Sequence, residues 1–178
     1  MKKILTGCGG CLVLVIAALI GLWFVGRNAP REHVATSRIT VAKTVEEVWP
    51  LVSDLEGQSD WLDGIESVER ITNESGREVF VQHGTLGEVP LIIVENEAPH
   101  RFATQVDVGE EQWGGTWRWE LTPNEGGCTI SITEEGWVDN PLMRLVAAHA
   151  MDHHQAMDMV LTNLARHLGE EREPEHLE

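Results

Sequence analysis

Tyrosine is absent from this chain of 178 residues, and phenylalanine occurs only three times. A phenol donor for orienting a polar ligand group is therefore ruled out. Three cysteines, two of them near the N-terminus, exclude a disulfide scaffold. Basic residues are scarce: 13 Lys and Arg stand against 29 Asp and Glu, for a formal net charge of −16. Phosphate neutralisation needs Lys and Arg, so a nucleic-acid partner is excluded. The Gly-x-Ser-x-Gly nucleophile signature, the His-Glu-x-x-His zinc motif and a glycine-rich phosphate loop are all missing. Internal repeats and low-complexity segments are missing too. Apolar residues make up 42%, which excludes a disordered chain, and the length suits one domain of ordinary size.

The N-terminus carries one long uncharged run, Ile4 to Gly26. As a helix its 23 residues would extend roughly 34 Å, enough to cross a hydrocarbon core of about 30 Å. Lys2 and Lys3 precede it, and Trp23 lies near its far end as an interfacial aromatic. Residues 1–27 thus read as an uncleaved single-pass anchor contacting the bilayer through residues 4–26, with residues 28–32 as a linker. The charge bias puts the following domain on the extracytoplasmic side. Two processing alternatives fit less well. Leu5-Thr6-Gly7-Cys8 has the form of a lipobox, but the apolar run follows Cys8 instead of preceding it. Trp23 to Arg27 lacks the small residues of a signal-peptide cleavage site. Cys8 and Cys11 share a helix face and are acylation candidates, or simply small packing residues.

Beyond the linker, His33 to Ala42 alternates as a half-buried strand. Thr44 then reads as an N-cap, with Glu46 and Glu47 in the first turn of a helix that Pro50 shortens. Gln58 to Leu62 suggests a second short helix. Strand-like runs follow at Ile65–Ile71, Arg77–His83, Val89–Glu95, Arg101–Val108, Trp113–Leu121 and Cys128–Trp137, separated by Gly, Asn and Pro turn signals. Asn140 and Pro141 open what the periodicity predicts as one long helix, ending near Leu168 before Gly169. Its apolar stripe holds Leu142, Val146, Ala150, His153, Met157, Val160, Leu161, Leu164 and Leu168. Residues 170–178 read as a solvated, disordered acidic tail.

This order is α+β: an antiparallel sheet of about six to seven strands curved around a long C-terminal helix. It resembles the START-like, or SRPBCC, superfamily with its helix-grip fold, the polyketide cyclase/dehydrase and lipid transport group. The likeness rests on Ile39-Thr40-Val41-Ala42 leading to Val45-Glu46-Glu47-Val48-Trp49, then Asp54-Leu55, Trp61-Leu62 and Ile65-Glu66-Ser67-Val68. Glu97-Ala98-Pro99-His100-Arg101, Gly114-Gly115-Thr116-Trp117 and Gly127-Cys128-Thr129-Ile130 extend it. The domain implied covers residues 33–169. The resemblance implies a cavity for an apolar or amphipathic small molecule, and a reaction in only some members.

Trp61 falls where that family borders the cavity mouth. Trp113, Trp117 and Trp119 share strand parity and point to one face. With Phe102 and Val106 from the sheet, and Val146, His149, Ala150, His153 and Met157 from the helix, they form the expected ligand pocket. Core packing is the competing reading, and it suits Trp119 better than Trp61 or Trp117. His153 lies within the apolar stripe, with His149 one turn before it and His154 on the other flank. It is a buried neutral histidine, a ligand-binding or acid/base group, or, with His149, half of a metal pair. A third metal ligand would have to come from His83, His100 or an acid on the sheet. Neither metal nor cofactor is expected. The expected function is tethered binding of a small hydrophobic ligand, lipid-like or aromatic. A cyclase or hydratase using His153 as acid/base is the alternative.

Overall fold

The computed structural model describes residues 5–85, 87–107 and 113–177, leaving aside the side chains of residues 5–13 and of residue 150. These residues form two compact units. One holds the residues up to Glu32 together with Val138–Met151, and the other holds His33–Trp137 with the residues from Asp152 on.

In the first unit, helix α1 (Leu5–Asn28) meets helix α3 (Pro141–Ala150). Gly26 is the contact point: a Cβ there would lie 2.0 Å from the Pro141 carbonyl oxygen. Arg31 Nε donates to Asp139 Oδ1 at 2.6 Å beside this junction, and that bond raises the arginine's pKa. Asn140 caps α3, its side chain accepting from the Leu142 and Met143 amides, with Pro141 at the first helical position.

The expected membrane anchor needs correction. Among the described residues no helix is long and apolar enough to cross a membrane. Ile4 and the side chains of Cys8 and Cys11 lie outside the described residues.

The second unit is built on one eight-stranded sheet of order β2-β3-β4-β5-β6-β7-β1-β8. The strands are β1 (Glu32–Val41), β2 (Ile65–Thr72), β3 (Glu78–Gly84), β4 (Gly87–Glu97), β5 (Arg101–Val106), β6 (Trp113–Asn124), β7 (Gly127–Val138) and β8 (Glu175–Leu177). Neighbours from β2 to β6 pair antiparallel, as do β1 and β8. β8 corrects two expectations, a sheet of six to seven strands and a disordered tail, while its residues stay exposed as expected. Arg38 on β1 donates twice to Glu175, and Ser37 lies opposite His176, so side chains hold the tail on the β1 edge.

Helix α2 (Val45–Ser53) follows β1, capped by Thr44 in a box with Glu47. A single 3-10 turn (Glu56–Asp60) replaces the expected second helix. The long C-terminal helix is in fact two, α3 and α4 (Gln155–His167). Between them Met151 is extended, and the Asp152 carboxylate accepts from the His154 amide at 3.0 Å. This local bond offers the backbone an alternative to helix. A single wheel drawn through the break therefore does not describe one continuous helix. The core lies between α4 and the sheet: Met157, Leu161, Leu164 and Ala165 meet Ile39 and Val41 of β1, Ile130 and Ile132 of β7, Trp119 and Leu121 of β6, Phe102 of β5, and Val48 and Val52 of α2.

Candidate functional site

Strand parity sends residues 113, 115, 117, 119 and 121 of β6 to the face that α4 covers. Leu121 and Trp119 are buried in the core there, whereas Trp113 is half-exposed at the rim. Toward β2–β5 the packing opens into a cavity of about 260 Å³. Trp113, Gly115, Trp117 and Trp119 form one wall, Val89, Leu91, Thr104 and Val106 the next, and Ala156, Met159 and Val160 of α4 the roof. Leu55, Leu62 and Ile65 close the side beneath the 3-10 turn. The walls are mainly apolar. Gln58 and Gln82 form the main polar feature, with Gln82 Nε2 donating to Gln58 Oε1 at 2.6 Å.

Backbone closeness shapes the rim. A Cβ on Gly84 would lie 1.9 Å from the Gly64 carbonyl oxygen, so the end of β3 lies flush on the start of β2. Gly64 and Gly87 also line the rim, both at positive φ.

Four of the expected pocket residues line this cavity: Val106, Trp113, Trp117 and Trp119. Trp61, Phe102 and Met157 are buried in the core and do not line it. Val146 and His149 lie on α3, in the other unit, and line no part of it. The Ala150 side chain lies outside the described residues. Sequence reasoning missed Gln58, Gln82, Thr104 and Met159. Gln82 and Thr104 sit at inward strand parity, which was the available signal; Gln58 carried none before the 3-10 turn was known.

Among the described residues no histidine lines the cavity. His153 instead stacks on His33, ring centroids 3.8 Å apart and planes 24° apart. His33 Nε2–H donates to Glu134 Oε1 at 3.0 Å, and the cavity residue Trp117 donates its indole N–H to Glu134 Oε2 at 2.9 Å. His33 and Glu134 face each other because β1 and β7 are neighbours; they are 101 residues apart in sequence. Gly136 makes room for the His33 ring, since a Cβ there would lie 2.1 Å from it. One ligand atom from each of His33, Glu134 and His153 falls within 4.8 Å of the others. Neither His149, His83 nor His100 takes part.

A second cluster lies further along β1. His154 stacks on His176 at 3.9 Å, and His176 Nε2–H donates to Asp158 Oδ2 at 2.8 Å. Ser37 Oγ donates to Asp158 Oδ1 at 2.7 Å and accepts from His154 Nδ1 at 3.1 Å. Ser37 is buried and its only hydroxyl proton goes to the carboxylate, so no histidine activates it as a nucleophile.

Solved structures share this architecture at low identity. Norcoclaurine synthase from Thalictrum flavum, a point mutant in complex with a transition-state analogue, aligns with TM-score 0.57 and 16% identity, covering 77% of this chain and 96% of that one. A conserved protein from Geobacillus kaustophilus aligns with TM-score 0.59 and 16% identity, covering 81% and 100%. A START superfamily protein from Mycobacterium smegmatis aligns with TM-score 0.56 and 13% identity, covering 79% and 98%. At such identities the likeness concerns the fold. No curated protein matches the chain. The family profile described as polyketide cyclase / dehydrase and lipid transport matches residues 32–169, so the chain belongs to that family.

Proposed function

We propose that the chain binds a small hydrophobic or amphipathic molecule, aromatic or lipid-like, in the cavity between sheet and α4. The observation that carries this reading is the tryptophan-walled cavity of about 260 Å³. Ligand sites usually measure about 300–1,000 Å³, so a ring system or short chain suits this one better than a long acyl tail. The Trp117 indole N–H is already committed to Glu134. A polar end on the ligand would therefore meet Gln58, Gln82 and Thr104. An acid/base role for His153 has no support in the lining of the cavity, which holds no histidine among the described residues.

Native mass spectrometry of the full chain, followed by organic extraction, tests this directly. Saturable binding of 1-anilinonaphthalene-8-sulfonate supplies a second readout. Val106→Trp fills the cavity and should abolish dye binding while the far-ultraviolet circular dichroism stays unchanged. Equal dye affinity in the folded variant would sink the proposal.

A further inference from the structure

We infer that His33, Glu134 and His153 form a binding site for a divalent first-row transition ion of the Zn²⁺ class. Two imidazoles and one carboxylate are ordinary ligands for such ions, and three protein ligands leave a fourth position open. The three are partly buried and come from three separate segments: β1, β7 and the link before α4. His33 Nε2 and Glu134 Oε1 are already 3.0 Å apart. That is close to the edge of a coordination tetrahedron, about 3.3 Å for metal–ligand bonds near 2.0–2.1 Å.

The surroundings are those of a supported ligand set. Trp117 holds Glu134 Oε2, which leaves Oε1 to turn toward the ion. The missing side chain at Gly136 leaves space for the His33 ring. Binding exchanges the His33 Nε2 proton for the ion, so a proton leaves to solvent. The rings are stacked, and lone pairs lie in the ring planes. One imidazole must therefore swing about its Cβ–Cγ bond as the ion enters. His153 sits in the link at 151–154, outside regular helix.

The test uses the full chain without a histidine tag, stripped with chelator and titrated with Zn²⁺ by calorimetry near pH 7.5. One equivalent should bind. Glu134→Gln and His153→Ala should each weaken binding at least roughly tenfold. Gly136→Ala should weaken it as well, by displacing the His33 ring. His149→Ala and His176→Ala should leave it unchanged. Should the variants misfold, carbethoxylation of the wild-type chain decides the matter: Zn²⁺ should protect His33 and His153 but not His149. No saturable binding, protection that maps to His154 and His176, or equal protection at all histidines would overturn the inference.

Discussion

A side chain packed in the core and one at the rim of the cavity should respond differently to truncation. Phe102 is 0% exposed, in a T-shaped pair with Trp49, ring centroids 6.3 Å apart. Phe102→Ala should cost about 3–5 kcal/mol, measured by urea denaturation, because a packed ring leaves a hole. Trp113 is 50% exposed at the cavity rim. Trp113→Ala should cost under about 1 kcal/mol yet weaken dye binding, since it removes a wall and not a keystone of the core. Cys128 is buried on β7, and burial, followed by the charge of Glu46, pushes its thiol up to about 11. At pH 8 the peptide carrying Cys128 should remain unmodified by iodoacetamide in the native protein, and react once the chain is unfolded.

At the scale of the element, α2 shows how a local signal becomes stability. Thr44 Oγ1 accepts from the Glu47 amide at 3.4 Å, and the Thr44 amide donates to Glu47 Oε2 at 2.9 Å. Thr44→Ala should cost about 1 kcal/mol, which for a chain of this size lowers Tm by about 2–4 °C. The Thr44 amide also holds the Glu47 carboxyl below its ordinary value of 4.5. A depressed folded pKa stabilises above the unfolded value, and the gain disappears as pH falls through the folded one. The stability gap between wild type and Glu47→Gln should therefore narrow as pH drops below about 4.5, as followed by thermal melts across that range. Helix α4 shows the opposite case. Its apolar positions were visible in the sequence, but the turn at Asp152 that separates it from α3 was hidden, because the periodic pattern runs on through a residue whose side chain bonds the His154 amide.

At the scale of the whole molecule, the tail completes the sheet. β8 covers the outer edge of β1, and His176 ties it to Asp158 of α4. Deleting residues 170–178 would expose an unpaired strand edge. Amides of β1 at residues 36–38 should then exchange faster with solvent, while dye binding stays within about twofold of the intact chain. Unchanged exchange would mean that β8 contributes no protection.

The seven longer strands, the Thr44 and Asn140 caps and the inward face shared by Trp113, Trp117 and Trp119 were readable from residue order alone. They depend on short-range rules: alternation along a strand, capping hydrogen bonds and turn chemistry. An uncharged N-terminal run also looked long enough to span a bilayer by length and hydropathy, and the described part of α1 does not satisfy that requirement. Which aromatic fills the core and which borders the cavity was settled by how α4 lies over the sheet. Strand order alone brought Glu134 to His33 across 101 residues. Local periodicity carries the shape of each element, but contacts between distant segments depend on how the elements pair and pack, and no local rule encodes that.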